Sequence, residues 1–127
     1  MLALVVDDNL ANTVIASAIL RRIGFTVSLA ASGAEALGLV SEKHYDFILM
    51  DFHMPGINGA ETTLGIRFIE GDCLRVPSFV LEGSASCDAE IKRAFIDAGA
   101  NLIIEKPFSP FDLHAVVQQH FPVLAGN

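Results

Sequence analysis

Acidic side chains stand directly after two short apolar runs of this sequence. Asp7 and Asp8 follow the run LALVV, and Asp51 follows the run FILM. A carboxylate at the end of a buried strand loses contact with water on folding, which costs free energy unless a nearby group compensates for its charge. Lys106, which stands just after the run LII, can supply an ammonium, and a divalent cation can supply further positive charge. These residues therefore predict a site that combines carboxylates, one lysine and a metal ion.

Five apolar runs alternate with segments that carry helix signals. The runs are Leu2–Val6, Thr26–Ala30, Phe47–Met50, Ser78–Leu81 and Leu102–Ile104. They are rich in β-branched or large apolar residues, which is typical of strands buried on both faces. Between them, Ser32, Asn58 and Ser109 begin sequences that resemble helix caps, and Gly24 and Gly99 stand where helices should end. The alternation predicts a doubly wound α/β domain, with a five-stranded parallel sheet and helices on both faces.

Chemically active residues stand at four of the five predicted strand ends. Asp7 and Asp8 end the first strand, Asp51 ends the third, Ser84 follows the fourth and Lys106 follows the fifth. The second predicted strand ends without a residue of this kind and is expected at the edge of the sheet. Each residue taken alone is as easily explained as a turn, cap or surface residue. Because ligands of such sheets bind outside the carboxyl ends of the strands, their coincidence favours one common site.

The first predicted helix, roughly residues 10–23, carries two apolar sets. The set expected to face the core consists of Ile15, Ala16, Ile19 and Ile23. Leu10, Val14 and Ala18 repeat every four residues on another side of the same helix. Two interpretations of this second set stay open. Either the fifth helix covers part of it, or Leu10 and Val14 dock a helix of a partner protein.

Composition and charge exclude several classes of function. The chain has 127 residues, 52% of them hydrophobic, which fits one globular domain. Its net charge of −7 works against binding to nucleic acid or to an anionic membrane surface. No apolar run reaches the roughly 20 residues that span a bilayer, and the first residues do not form a signal peptide. We therefore expect a cytoplasmic protein, in which Cys73 and Cys87 are reduced thiols.

Four motifs resemble the receiver (CheY-like) domain of two-component response regulators. They are LVVDDN at 4–9, MDFHMPGINGAE at 50–61, GSA at 83–85 and EKPF at 105–108. The resemblance covers essentially the whole chain and implies a single receiver domain over residues 1–127 with the flavodoxin-like (βα)5 fold. It also implies a phosphoacceptor signalling module of a phosphorelay, rather than an enzyme that turns over an external substrate.

The resemblance assigns a role to each candidate residue. Asp51 would accept a phosphoryl group from a phosphohistidine, Lys106 would pair with that group, and the Ser84 hydroxyl would donate to one of its oxygens. The metal would be Mg²⁺, or alternatively Mn²⁺. Its ligands would be Asp7, Asp8, Asp51 and the backbone carbonyl of His53. The phosphodonor would be a histidine kinase or a histidine phosphotransfer protein, docked through Leu10 and Val14.

Some positions depart from the family pattern. Ile103 stands where many receivers have an aromatic residue, and Glu82 places a charge beside a buried strand without an evident reason. His53 and Ser86 occupy positions that in the family influence hydrolysis of the phosphoryl bond. The resemblance fits both a stand-alone receiver and a receiver that is part of a hybrid histidine kinase.

Two other classes were compared with this interpretation. A phosphatase of the haloacid dehalogenase type also forms an aspartyl phosphate, but it needs a second Asp where this chain has His53. Nucleotide binding lacks both the phosphate-binding G-x-x-x-x-G-K-[ST] motif and a full G-x-G-x-x-G.

Overall fold

Strands and helices alternate along the chain in the order that the apolar runs predict. The computed structural model describes residues 1–85 and 88–122. The strands are β1 (Leu2–Val6), β2 (Thr26–Ala30), β3 (Phe47–Asp51), β4 (Phe79–Ser84) and β5 (Leu102–Glu105). The helices are α1 (Leu10–Ile23), α2 (Gly33–Glu42), α3 (Gly59–Asp72), α4 (Ala89–Ala98) and α5 (Pro110–His120). Ser86 and Cys87 lie outside the described residues.

The five strands form one parallel sheet in the order β2-β1-β3-β4-β5. The doubly wound flavodoxin-like fold is thereby confirmed, and β2 lies at an edge as expected. The register aligns the carboxyl ends, since Val6 pairs with Met50 and Asp51 pairs with Gly83. The largest error in the predicted boundaries is at β4, which begins at Phe79 and runs on to Ser84 instead of ending at Leu81. The backbone pairing to β3 and β5 continues past the apolar run, so polar residues join the strand. Strands β3 and β5 each end one residue later than predicted.

Alternate residues of the central strands supply two apolar layers, one on each face of the sheet. Leu4 and Val6 of β1 contact the layer that includes Ala36 and Val40 of α2 and Ile66 of α3. Ala3 and Val5 contact the opposite layer, which includes residues of α1 and α5. Both faces of the sheet are therefore buried, which leaves the carboxyl ends of the strands as the place for polar groups.

The core face of α1 only partly matches the predicted one. Ile15 is 60% exposed, whereas Ala16 and Leu20 are buried against the sheet. Thr13 and Ser17 take the other buried positions of the helix. They can do so because each hydroxyl donates a hydrogen bond to a carbonyl of the helix itself, so burial leaves no polar group unpaired.

The second apolar set of α1 faces solvent. Leu10 is 74% exposed and Val14 is 55% exposed, so the interpretation in which α5 covers them is wrong for both residues. With Ile15 they form an apolar surface on the first turns of α1.

Helix α3 begins against the backbone of Asp51. Asn58 caps the helix through a reciprocal hydrogen-bond pair with Glu61, as its sequence predicted. At Gly59, the first residue of α3, a Cβ atom would lie 2.3 Å from the carbonyl oxygen of Asp51. Only glycine permits this approach, so the start of α3 and the end of β3 are fitted to each other.

Replacement of Gly59 by alanine should therefore destabilise the domain. We expect a loss of about 1–3 kcal/mol in the free energy of unfolding, because the new methyl group meets backbone atoms that cannot move aside cheaply. Urea denaturation measures the change. Gly71→Ala on the same helix is the matched control: it meets no atom within 4 Å and should gain roughly 0.5–1 kcal/mol. Equal stability of the two variants would contradict the fitted contact.

Candidate functional site

Three carboxylates meet at the carboxyl end of the sheet. One oxygen of each of Asp7, Asp8 and Asp51 lies within 4.8 Å of the others. Asp7 is buried, Asp51 is half-buried and Asp8 is exposed, so the cluster runs from the sheet outward to solvent. The positions come from two adjacent strands, β1 and β3, whose register puts their ends side by side.

Lys106 provides the positive charge that the sequence predicted. Its Nζ lies 2.6 Å from Asp51 Oδ1 and 3.4 Å from Asp7 Oδ2. To reach them from the end of β5, the lysine stem passes over Gly83 of β4, where a Cβ atom would lie 3.1 Å from Lys106 Cε. The backbone N–H of Lys106 donates to the Ser84 carbonyl at 2.8 Å, which fixes where the stem starts.

Asp7 is oriented by groups at the start of α1. The backbone N–H of Asn9 donates to Asp7 Oδ1 at 2.9 Å, and the Asn12 side-chain amide donates to Oδ2 at 3.2 Å. This role of Asn12 was not predicted from the sequence. The sequence does carry a signal for it, because Asn is a preferred helix cap and Asn9 stands two residues after Asp7. Asn9 caps α1 and accepts a hydrogen bond from Asn12 N, which places the first turn of the helix next to the end of β1.

A cavity of about 440 Å³ adjoins the carboxylates. Asp7, Asp51 and Lys106 line its polar end, and its walls include Ile15 of α1 and Phe108 before α5. The site is therefore open to a ligand between α1 and the segment that follows β5.

The other two candidate residues lie at the same edge but not in this cavity. Ser84 is buried at the end of β4, one residue beyond the partner of Asp51, and it lines a second cavity beside α4 and β5. His53 is exposed, and its ring packs edge-on against Phe52 at a centroid distance of 4.8 Å. The structure thus brings Asp7, Asp8, Asp51 and Lys106 together, whereas Ser84 lines the second cavity and the His53 side chain faces solvent.

Opposing effects act on the pKa of Asp51. Burial raises the pKa of this carboxyl above its ordinary value, and the hydrogen bond and positive charge of Lys106 lower it. The negative charges of Asp7 and Asp8 raise it further. Burial is the largest of these effects, and the pKa of Asp51 is raised on balance. Because three carboxylates face one ammonium group, a cation bound at the cluster would offset the remaining negative charge.

Glu82 is a second, unexpected acid close to this site. Its side chain is fully buried within β4, and it is hydrogen-bonded to the Thr63 hydroxyl of α3. Among the described residues, its Oε2 atom has no hydrogen-bond partner. Burial raises the pKa of Glu82 to about 9; the bond to Thr63 and the charge of Arg67 lower it, and the charge of Asp51 raises it. Glu82 is therefore a neutral carboxylic acid at neutral pH.

The donor atoms of the cluster fit a hard divalent cation. All three side chains offer carboxylate oxygens, and neither imidazole nor thiolate belongs to the set. Mg²⁺ prefers one or two carboxylates together with water and phosphate oxygens, and an open, partly exposed cluster leaves room for both. Within residues 1–85 and 88–122, no helix combines the length and the apolar character needed to cross a bilayer.

Comparison with known proteins identifies the class. Residues 3–118 match the model of the response regulator receiver domain. The chain belongs to this family, whose members are the receiver domains of two-component phosphorelays, and the resemblance inferred from the four motifs is confirmed.

Individual relatives agree with this assignment. The autoinducer 2 sensor kinase/phosphatase LuxQ of Vibrio cholerae is 35% identical over 118 residues, which cover 93% of this chain and 13% of LuxQ. The chain thus spans about an eighth of that relative's length. The receiver domain of the sensor histidine kinase PA1611 from Pseudomonas aeruginosa, with a magnesium ion in its active site cleft, is 30% identical with a TM-score of 0.81, covering 92% of this chain and 93% of that one.

A second solved structure contains a histidine phosphotransfer protein. It is the co-crystal structure of the Saccharomyces cerevisiae histidine phosphotransfer protein Ypd1 and the receiver domain of Ssk1. The matched chain is 26% identical with a TM-score of 0.88, covering 98% of this chain and 91% of that one.

The raised pKa of Glu82 predicts a pH-dependent stability. The folded protein keeps a proton on this acid up to about pH 9, whereas the unfolded chain releases it above about pH 4.5. Its contribution to stability is complete below about pH 4.5 and is lost as the pH rises towards about 9. Relative to Glu82→Gln, the wild-type free energy of unfolding should fall by about 1.4 kcal/mol per pH unit within this range.

Urea denaturation between about pH 5.5 and about pH 8 measures this difference. The control is Glu42→Gln, an exposed position that should keep the wild-type profile. Parallel profiles for the wild type and Glu82→Gln would show that Glu82 is ionised in the folded protein.

Proposed function

We propose that Asp51 is the phosphoacceptor of this receiver domain and that it takes its phosphoryl group from a phosphohistidine. The observation that carries the proposal is the 2.6 Å contact between Lys106 Nζ and Asp51 Oδ1 beside two further carboxylates. Asp7 shares the lysine, the cluster and the cavity, but its contact with Lys106 is longer, at 3.4 Å, and both of its oxygens already accept hydrogen bonds from Asn9 and Asn12.

The reaction is an in-line displacement at phosphorus. An oxygen of Asp51 forms the new bond to phosphorus, the bond from phosphorus to the imidazole nitrogen of the donor breaks, and the leaving electron pair stays on that imidazole. Two anions must approach, so charge neutralisation and positioning dominate the catalysis. Lys106 would exchange its contact with Asp51 for one with the incoming phosphoryl oxygens.

Asp7, Asp8, Asp51 and the backbone carbonyl of His53 would hold the Mg²⁺ ion, or Mn²⁺ in its place. When bound, the cation supplies further positive charge to the phosphoryl oxygens. Within the chain, Asn12 and the Asn9 N–H keep the Asp7 carboxylate in a fixed orientation for this purpose.

The Ser84 hydroxyl would donate to a phosphoryl oxygen once the group is in place. Its position at the end of β4, next to the strand pair of Asp51, supports this role. Phosphorylation would then act at the β4 end of the sheet and alter contacts with other proteins. Because Ile103 replaces an aromatic residue, the change does not depend on a ring at that position.

Residues 1–127 would form a single cytoplasmic receiver domain that signals through protein contacts and turns over no external substrate. The partner would be a histidine kinase or a histidine phosphotransfer protein. The exposed Leu10 and Val14 lie one turn from the carboxylates, which supports a docking role for the start of α1. The co-crystal structure of Ypd1 with a receiver domain supports the same kind of partner.

Asp51→Asn should abolish phosphorylation. After incubation with acetyl phosphate and Mg²⁺, intact-mass spectrometry of the wild type should show one added phosphoryl group, and the variant should show none, because an amide is not a nucleophile for this reaction. Chelation of the metal should suppress the wild-type signal. A variant that gains one phosphoryl group to the wild-type extent would place the acceptor elsewhere.

Leu10→Gln with Val14→Gln should separate docking from chemistry. Transfer from a phosphorylated histidine phosphotransfer protein should slow about tenfold or more, since anchors at an interface centre are worth about 1–2 kcal/mol each. Labelling by acetyl phosphate should stay near the wild-type rate, because a small donor needs no docking face.

Leu64→Gln is the matched control, a leucine 59% exposed on α3. It should leave both reactions unchanged. Equal slowing of both donors in the α1 variant would indicate damaged packing, and unchanged transfer from the protein donor would remove α1 from the interface.

A further inference from the structure

A ring of hydrogen bonds begins and ends on adjacent residues of β4. The Gly83 carbonyl accepts from Phe52 N at 3.2 Å, and the Phe52 carbonyl accepts from Gly59 N at 2.9 Å. The Thr63 hydroxyl lies 2.9 Å from the Gly59 carbonyl, and the Thr63 hydroxyl is also bonded to the Glu82 carboxyl group. The ring therefore joins β4, the residue after Asp51 and the first turn of α3.

Counting protons shows which form of Glu82 closes the ring. The Thr63 hydroxyl has one proton but two oxygen neighbours, the Gly59 carbonyl and the Glu82 carboxyl group. A carboxylate and a carbonyl both only accept, so an ionised Glu82 would leave one of these contacts without a proton. A neutral Glu82 donates its O–H to Thr63, which then donates to Gly59, and every contact in the ring carries a proton.

The ring encloses the backbone that carries Asp51. Phe52 follows Asp51 directly, and Gly59 approaches the Asp51 carbonyl so closely that a Cβ atom would lie 2.3 Å from it. Movement of α3 away from β4 would therefore move the residue next to the phosphoacceptor. In-line attack tolerates little displacement, since about 1 Å can cost two orders of magnitude in rate.

Packing alone does not explain an acid at this position. The register partners of Glu82 on the neighbouring strands are Met50 and Ile103, both apolar. An apolar side chain would fill the same row without leaving an unpaired oxygen in the core. What the acid adds is the hydrogen bond to Thr63.

We propose that Glu82 is a positioning residue for the phosphoacceptor: as a neutral acid it donates to Thr63 and holds the Asp51–Phe52 backbone at a fixed place against β4. This inference rests on the proposed function of Asp51. The charged groups that act on Glu82 are Asp51 of β3 and Arg67 of α3.

The test compares Glu82→Gln with Glu82→Leu. The glutamine amide can still donate to Thr63, whereas leucine fills the space and cannot. With acetyl phosphate and saturating Mg²⁺ at neutral pH, intact-mass spectrometry should show phosphorylation of the leucine variant slowed about tenfold and the glutamine variant within about twofold of the wild type. A leucine variant that reacts at the wild-type rate overturns the proposal, as does a glutamine variant as slow as leucine.

Thr63→Val removes the other partner and keeps the test valid if the leucine variant fails to fold. It should slow phosphorylation to a similar extent, and the Glu82→Leu/Thr63→Val double variant should be no slower than either single variant, because both changes break the same ring. If the two reductions in phosphorylation rate multiply in the double variant, the two residues act independently, which would contradict a shared ring.

A pH profile separates positioning from packing. The wild-type rate relative to Glu82→Gln should fall as the pH rises past about 9, where Glu82 ionises and stops donating. A constant ratio overturns the proposal. Asp51→Asn is run in parallel. An Asp51→Asn protein that still gains the phosphoryl group refutes the phosphoacceptor assignment. If Asp51→Asn is not phosphorylated but the Glu82 variants do not show the expected rates, only the positioning role is refuted.

Discussion

The ion pair between Lys106 and Asp51 crosses a whole strand, and the neighbouring structure depends on that span. The two residues stand on β5 and β3, so the lysine stem must pass over β4 between them. Gly83 leaves the necessary space, and the parallel register sets it directly beside Asp51. Three strands therefore have to be paired in register before the negative charge at the site meets its partner.

Asp51 of this pair and the nearby Glu82 differ in chemical character because their surroundings differ. Asp51 faces an ammonium group, which lowers its pKa against the effect of burial, and it opens towards a cavity that metal and phosphorus can enter. Glu82 lies within the apolar row of the same sheet, where its one hydrogen-bond partner among the described residues is a hydroxyl, and it holds its proton. One acid is suited to nucleophilic attack and the other to hydrogen-bond donation.

The start of α1 serves the site and the surface together. Its first turn orients Asp7 through Asn9 and Asn12, and the same turns present Leu10 and Val14 to solvent. A partner that docks on this surface would approach the cavity beside Asp51 directly. One short segment would thus both dock the partner and orient a carboxylate of the site. On the buried side of this segment, hydroxyl groups are hydrogen-bonded to carbonyls of the helix itself.

The sequence by itself determined the fold class, the order of the elements and the acids and lysine of the site. These follow from local signals: apolar runs, caps such as Asn58, and polar residues placed at strand ends. Only the tertiary structure decided that Ile15 faces outward, that Asn12 holds Asp7 and that Glu82 meets Thr63. Which face of α1 packs on the sheet depends on how its side chains fit the side chains of the strands. The spacing of apolar residues within the helix does not contain this information. Glu82 and Thr63 are 19 residues apart in the sequence. The protonation of Glu82 therefore depends on how α3 packs against β4, which a local sequence pattern cannot predict.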